Sequence, residues 1–258
     1  MIRVYDLIME GSPVKGAHML SKGYIAAWAD DRGVVSVIDK TRQRGYPASV
    51  TKATIRNYAY VTNVVTRDLE DDYSKIESDG LRAIRGLRSG QTDLSSASVA
   101  AIIEFLEMHR ERGQYADQMD AKVPAVAIGT DGSLHDIELS VGDIIFLGRH
   151  RTETLRLSSL GLESWEWRVE SWEGSLATGD GAVLLFRESS TAAVSTVTFP
   201  ISPHQLLVIG TPLQYERMLP NHLNFFIAEQ SRQWLVSASG TLRAGDLTVV
   251  ATPPPNAE

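Results

Sequence analysis

The spacing of apolar residues predicts a helix close to the start of the chain. Residues 17–29 carry Met19, Leu20, Tyr24 and Trp28 at helical spacing, so one apolar stripe runs along this segment. The sequence DDRG then ends the helix, and VVSVI at 34–38 predicts a short strand. This interpretation places His18 in the first turn of the helix.

Two longer amphipathic segments predict the main helices of the first half. In residues 67–87 apolar residues recur every three or four positions, and acidic residues crowd the first turns, where the helix dipole favours them. Residues 95–112 show the strongest pattern, with Ser95 or Ser96 available as a cap and basic residues in the last turn. Because the connection is short, we expect the two helices to pack as an antiparallel hairpin.

The second half of the chain is dominated by strand patterns. Partial helical spacing predicts one more helix over 140–162, and a last helix is predicted over 220–237. Between them lie four segments of strand-forming residues separated by Gly and Ser turns: 165–173, 182–186, 194–200 and 205–210.

This order of elements favours one α+β domain over alternating βαβ units. We expect N-terminal helices, including the antiparallel pair, to pack with a C-terminal antiparallel sheet and a final helix. The predicted domain covers residues 1–252, and the Pro-rich tail at 253–258 is expected to be disordered.

Composition and charge limit the classes of function. The 258 residues are 43% hydrophobic and carry a formal net charge of −7, which disfavours duplex nucleic acid as a partner. The chain has no cysteine, which excludes disulfides, zinc–thiolate sites and cysteine nucleophiles. No apolar leader or membrane-length segment is evident, so we expect a cytoplasmic protein without a membrane partner.

Several short motifs, taken together, resemble a bacterial family known as domain-of-unknown-function family 4238. The resemblance spans roughly residues 17–236. Its motifs are His18 with Ser21, Tyr24-Ile25 and Trp28-Ala29; Ile76-Glu77; FLEMHRER, which contains Arg112; FPISPHQLLVIG; and Leu223-Asn224 followed by Arg232. The family often has a Ser-Asp-x-Pro turn before a strand, and this chain retains only Asp180 of that turn, in ATGDGAV. The resemblance implies architecture and no particular activity.

Three residues are candidates for catalysis. His18 could act as a general base or metal ligand, and its plain interpretation is a hydrogen bond that fixes a helix start. Glu77 shares a helix face with Tyr73 and Gly80, so its carboxylate points toward the core and needs a partner. That partner is expected to be an arginine in an ion pair, either Arg112 or Arg232, or else His18 or a metal. Asp180 is the third candidate, through the family turn.

Four further polar residues are candidates for ligand binding. His109 and Arg112 end the helix at 95–112, where positive charge suits the helix dipole in any case. Asn224 lies at the edge of the last apolar stripe, and Arg232 lies two turns further along the predicted helix. No metal site is predicted, because the six histidines lack the spacing of a preformed zinc site.

Two functions remain open. The first is a binding or interaction protein whose polar residues form a structural network or hold a small anionic ligand, with a protein partner as another option. The second is a hydrolase, such as a phosphodiesterase or nuclease-like enzyme, with His18 as general base, Glu77 or Asp180 as its acidic partner and arginines that stabilise developing charge. No cofactor is predicted, although a divalent metal is not excluded.

Overall fold

The structure is a computed structural model that describes residues 17–56, 62, 64, 69–149, 155–214 and 219–241. The predicted tail at 253–258 lies outside these residues. Contacts divide the chain into two compact units. The first unit takes its described residues from Met1–Ala17, Ile55–Lys75 and Gln118–Leu155, and the second from His18–Thr54, Ile76–Asp117 and Arg156–Glu258. The single domain over 1–252 stays a prediction.

The described residues contain both helices and strands, which confirms the α+β class. The helices are α1 (Lys22–Ile25), α2 (Leu69–Arg88), α3 (Ser96–Gly113), α4 (Val141–Gly148) and α5 (Pro220–Gln230). The strands are β1 (Ala17–His18), β2 (Val34–Asp39), β3 (Arg44–Ser49), β4 (Ile55–Arg56), β5 (Lys122–Ile128), β6 (Leu134–Ser140), β7 (Trp167–Ser171), β8 (Thr178–Gly179), β9 (Leu184–Phe186), β10 (Thr196–Ser202), β11 (Gln205–Gly210) and β12 (Trp234–Ser237).

The first unit is built around a β-hairpin that the sequence patterns did not predict. Strands β5 and β6 pair antiparallel along their whole length, from Lys122 opposite Ser140 to Ile128 opposite Leu134. Helix α4 follows directly and begins with a capping box, in which Ser140 and Asp143 satisfy each other's backbone N–H groups. The hairpin and α4 therefore form one continuous local structure.

The second unit contains two four-stranded antiparallel sheets. Their strand orders are β3-β2-β12-β8 and β7-β11-β10-β9. Strand β10 runs next to β11 with Val197 opposite Ile209, and all but the last residue of β10 are buried. Both faces of β10 are therefore covered, the one that carries Thr196 and Thr198 as well as the one that carries Val197, Phe199 and Ile201.

Helices α2 and α3 cross in antiparallel directions, as their short connection predicted. Gly80 of α2 lies against Phe105 of α3, and Glu77 pairs with Arg112, two turns closer to the end of α3. Ser95 caps α3 by accepting a hydrogen bond from the backbone N–H of Ser98 at 3.2 Å. The close approach of the two helices depends on the missing side chain at Gly80.

The first predicted helix is shorter than its apolar spacing indicated. Residues Ala17–His18 form strand β1, and the helical segment runs from Lys22 through the 3-10 turn Ala26–Trp28. The reason is a tertiary contact, because the backbone N–H of Met19 donates to the carbonyl of Thr54 at 3.0 Å. The prediction that His18 lies in a helical first turn is therefore wrong.

The last predicted helix is also too long. Helix α5 ends at Gln230, Ser231 is extended, and Trp234–Ser237 form strand β12 between β2 and β8. Pairing on both edges of β12 outweighs the helical spacing of its residues. Arg232 therefore does not continue the helix edge that begins at Asn224. In the segment 140–162 the α-helix ends at Gly148.

No helix among the described residues has the length and apolar character that a membrane span requires. The longest is α2, with 20 residues, and its sequence is rich in charged side chains.

Two glycines of α2 give a matched test of the helix crossing. A Cβ atom at Gly80 would lie 2.5 Å from the Cβ of Phe105, whereas one at Gly86 would meet only the side chain of Gln91, whose amide oxygen, at 2.5 Å, can move away. We expect Gly80→Ala to lower the free energy of unfolding by about 1–3 kcal/mol through overpacking. We expect Gly86→Ala to raise it by up to about 1 kcal/mol. Urea denaturation of both variants measures the difference, and equal effects would show that the crossing does not depend on Gly80.

Candidate functional site

The polar candidates of the second half converge on one buried segment, Ser175–Gly181, which we call the 175–181 segment. Asn224, on α5, holds its beginning. The side-chain amide of Asn224 donates to the carbonyl of Ser175 at 2.9 Å and accepts the N–H of Ala177 at 2.7 Å. A planar amide can make this two-way contact with a neighbouring backbone, which is its expected structural role.

Two aromatic residues of the N-terminal helical segment bind the middle of the 175–181 segment. The indole N–H of Trp28 donates to the carbonyl of Leu176 at 2.7 Å. The hydroxyl of Tyr24 donates to the carbonyl of Pro200 and lies 2.6 Å from the hydroxyl of Thr178, which donates in return. Burial raises the pKa of Tyr24, so its phenol stays neutral.

His109 binds the next residue from the side of α3. Its Nε2 lies 2.8 Å from the carbonyl oxygen of Gly179, and because a carbonyl only accepts, Nε2 carries the proton and donates. The ring is 2% exposed and packs edge-on against Tyr24 and Phe199. Burial is the main cause that lowers the pKa of His109 to about 4, so the imidazole is neutral at pH 7.

Asp180 links the 175–181 segment to the chain that follows α5. Its carboxylate accepts three backbone N–H groups, those of Arg232 at 2.7 Å and of Gln233 and Trp234 at 2.9 Å each. The residue is 3% exposed. Burial raises the pKa of Asp180 to about 6, against the opposing effect of the three N–H groups and the charge of Lys40.

Lys40 and Ser231 complete this junction. The ammonium of Lys40 donates to the carbonyls of Ala228 and Ser231 at 2.5 Å each, which satisfies acceptors at the C-terminal end of α5. The hydroxyl of Ser231 accepts the N–H of Gly181 at 3.0 Å. The end of α3 approaches the 175–181 segment so closely that a Cβ atom at Gly113 would lie 1.8 Å from the carbonyl oxygen of Asp180.

Glu77 and Arg112 form a separate pair between α2 and α3. The ion pair that the helix phase predicted for Glu77 is present, and its partner is Arg112. The side chain of Arg112 is 3% exposed and that of Glu77 is 24% exposed. Because removal of one partner would leave a buried charge, this pair is expected to hold the helix crossing together.

His18 lies near this pair but does not join it. Its Nδ1 is 3.2 Å from the carbonyl oxygen of Ala53, and within the described part of the chain it makes no hydrogen bond to Glu77 or Asp180. Burial is the main cause that lowers the pKa of His18; Glu77 opposes that effect and Arg112 adds to it. The half-buried ring is therefore mainly neutral at pH 7.

A groove of about 390 Å³ opens beside Asp180. Its walls come from the ends of α3 and α5 and from the loop between β8 and β9. The lining residues are Arg110, Gly113, Gln114, Asp180, Gly181, Val183, Glu229, Gln230 and Arg232. The guanidinium of Arg232 also lies 3.6 Å from a carboxylate oxygen of Asp117. Arg110 and Arg232 thus border a cavity of the size that small ligands occupy.

The structure brings together most, but not all, of the residues that the sequence singled out. His109, Asp180 and Asn224 meet at the 175–181 segment, Arg232 lies at its edge, and Glu77 with His18 lies apart from it. The sequence patterns did not single out Arg110 and Lys40, because arginine and lysine usually lie on the surface and no local motif marks these two residues. Among the described residues, no three His, Asp or Glu side chains are arranged to hold a metal ion.

His109 and Asp180 are expected to make opposite contributions to the pH dependence of stability. The pKa of His109 is lower in the folded state (about 4) than its model-peptide value of 6.5, so its contribution falls as the pH falls between these values. The pKa of Asp180 is higher in the folded state (about 6) than 3.8, so its contribution is complete below about pH 4 and is lost as the pH rises through 6. Each contribution is about 3 kcal/mol.

Two variants separate these contributions. Relative to the wild type, we expect His109→Gln to gain stability and Asp180→Asn to lose stability as the pH falls from 7 to 4. Urea denaturation at pH 4, 5, 6 and 7 measures both differences. Two variants with parallel pH profiles would show that these groups do not titrate as their burial indicates.

The two candidate histidines are expected to differ in their structural cost. His109→Ala removes a buried ring and leaves the carbonyl of Gly179 without its donor, so we expect a loss of about 3 kcal/mol in the free energy of unfolding. His18→Ala removes one hydrogen bond of a half-buried ring, with a loss of about 1 kcal/mol. Denaturation at pH 7 tests both, and an equal loss would contradict the structural difference between the two sites.

Comparison with known proteins supports the resemblance over the first part of the chain. The family described as "Protein of unknown function (DUF4238)" matches residues 17–129. Comparison with curated proteins and with solved structures gives no match. The matched range includes His18, Glu77, His109 and Arg112, whereas Asp180 lies beyond it. The family resemblance is therefore confirmed over residues 17–129, which is less than half of the chain.

Proposed function

We propose that the protein is a non-catalytic binding protein. Its buried polar residues are structural, and the groove beside Asp180 holds a small anionic ligand. The observation that carries this proposal is the use of His109, Asp180 and Asn224 as hydrogen-bond partners of backbone groups. Such a network stabilises one arrangement of the chain and leaves recognition to the residues at its edge.

The buried candidates are poorly suited to act on a substrate. A general base must come within hydrogen-bond reach of the proton that it removes. His109 is 2% exposed and its Nε2 already donates to a carbonyl, while the carboxylate of Asp180 is enclosed by three N–H groups. Both side chains therefore have structural roles in the protein interior.

The groove suits a ligand with one anionic group. Arg110 and Arg232 supply planar guanidinium groups, which bind carboxylate and phosphate oxygens in pairs. Gln114 and Gln230 add amide donors on the same walls. Glu229 also lines the groove, so a polyphosphate would meet a negative charge. We therefore propose a monophosphate or a carboxylate as the bound group.

The hydrolase alternative depends on His18. Its lowered pKa suits a general base at neutral pH, and Glu77 contributes a favourable negative charge. However, Glu77 is paired with Arg112, and His18 uses Nδ1 on the carbonyl of Ala53. This arrangement supports catalysis less well than it supports a structural role.

Binding of inorganic phosphate tests the proposed groove. We expect isothermal titration calorimetry to detect binding, and Arg232→Gln or Arg110→Gln to weaken it about 10-fold or more, because each removes a charge-assisted hydrogen bond. Asp117→Asn removes a competitor for Arg232 and should strengthen binding up to about 5-fold. Arg82→Gln is the matched control, since Arg82 is an exposed arginine on α2 that also has an acidic partner.

Two results would contradict the proposal. One is that no phosphate binding is detected, or that Arg232→Gln, Arg110→Gln and Arg82→Gln all change the affinity for phosphate equally. The other is hydrolysis of bis(4-nitrophenyl) phosphate by the purified protein that His18→Ala abolishes without loss of folding, which would favour the hydrolase.

A further inference from the structure

The β5–β6 hairpin of the first unit carries large apolar side chains on an exposed face. Val126 is 58% exposed, Ile128 is 68% exposed and Leu134 is 70% exposed. Side chains alternate between the two faces of a strand, and in this register these three share one face with Asp136 and Glu138. The opposite face is the less exposed one, with Ala125, Ala127, Ile137 and Leu139 partly buried.

The turn of the hairpin determines which backbone groups point outward. The N–H of Gly129 donates to the carbonyl of Ser133 at 2.7 Å, so these two residues form a hydrogen-bonded pair. Hydrogen-bonded and non-hydrogen-bonded pairs alternate along an antiparallel ladder. Pro124 and Glu138 therefore form a non-hydrogen-bonded pair, and Asp136 occupies an equivalent position on β6. The backbone groups of all three residues point away from the partner strand.

The two outer edges of the hairpin differ in their ability to accept another strand. Pro124 lies in the middle of β5 and has no N–H, so the outer edge of β5 lacks a donor where a new strand would need it. The outer edge of β6 presents the N–H and carbonyl groups of Leu134, Asp136 and Glu138. No strand within the described ranges pairs with this edge.

Charge determines what kind of strand fits the β6 edge. Asp136 and Glu138 place two carboxylates on one face, and Lys122 neutralises only Glu138, at 2.8 Å. A second copy fits poorly: antiparallel pairing of β6 with itself, centred on Asp136 or Ile137, places carboxylates opposite carboxylates. Pairing with the β5 edge of a copy meets Pro124.

We propose that the outer edge of β6 binds an extended basic segment of a partner protein as a third, antiparallel strand. The partner residues that face Glu138, Asp136 and Leu134 in turn are basic, basic and apolar, each separated by one residue. Main-chain hydrogen bonds supply affinity, and the two carboxylates with Leu134 and its apolar neighbours supply specificity.

A labelled peptide with this pattern tests the proposal on the full chain. We expect fluorescence anisotropy to show binding of the peptide TKTKTLT and no binding of TETETLT. Asp136→Lys should weaken binding of the first peptide about 10-fold or more through like-charge repulsion. Higher salt should also weaken it, because the edge is solvent-exposed.

A pair of substitutions at Asp136 separates backbone pairing from charge. Asp136→Asn keeps the outward N–H and removes the carboxylate, whereas Asp136→Pro also removes the N–H. Because this N–H points away from β5, the hairpin itself keeps its hydrogen bonds. We expect Asp136→Pro to bind the peptide at least about 5-fold more weakly than Asp136→Asn.

Equal affinity of these two variants would overturn strand addition, and equal binding of the two peptides would overturn the basic partner. If Asp136→Pro does not fold, a TKTKTLT peptide N-methylated at alternate residues removes the same hydrogen bonds from the other side. We expect at least one of the two alternately methylated peptides to bind undiminished, because only every second N–H of the bound peptide faces β6. Undiminished binding of both would overturn the proposal.

Discussion

The arrangement of the second unit depends on the hydrogen bonding of a buried backbone segment. Ser175–Gly181 passes through the interior with only two residues in a regular strand, so most of its polar groups cannot be satisfied by a sheet ladder. Each unsatisfied group would cost about as much as a lost hydrogen bond. Side chains from the 3-10 turn Ala26–Trp28, from α3 and from α5 supply partners for these groups, and each of these elements thereby becomes fixed to the same segment.

This requirement explains why residue types that often carry chemistry are found here in structural roles. An imidazole, a carboxylate and an amide are the side chains that best match isolated carbonyl and N–H groups. His109 is kept neutral by burial, so its donor faces the carbonyl of Gly179 without the cost of a buried charge. Asp180 compensates for its burial by accepting three N–H groups. The groups left for recognition lie where the network meets solvent.

The two proposed binding surfaces follow from the same contrast between satisfied and exposed groups. The groove lies where the ends of α3 and α5 meet, and its arginines contact solvent while Asp180 faces the interior. In the β5–β6 hairpin of the first unit the exposed groups are backbone groups, because no strand within the described residues pairs with the outer edge of β6. Pro124 removes a backbone donor from the outer edge of β5, and Asp136 and Glu138 make the outer edge of β6 negatively charged.

The sequence by itself determined the elements whose patterns are local: α2 and α3, the cap at Ser95, most strands of the second half and the α+β class. It also placed Glu77 on the inner face of α2, where an ion pair was expected. Tertiary structure decided the rest. The helical spacing of Trp234–Ser237 was overridden by pairing on both strand edges, and His18 became extended through the backbone contact of its neighbour. The partners of Asp180 lie more than fifty residues away, and no local periodicity encodes which distant backbone groups a buried carboxylate will meet.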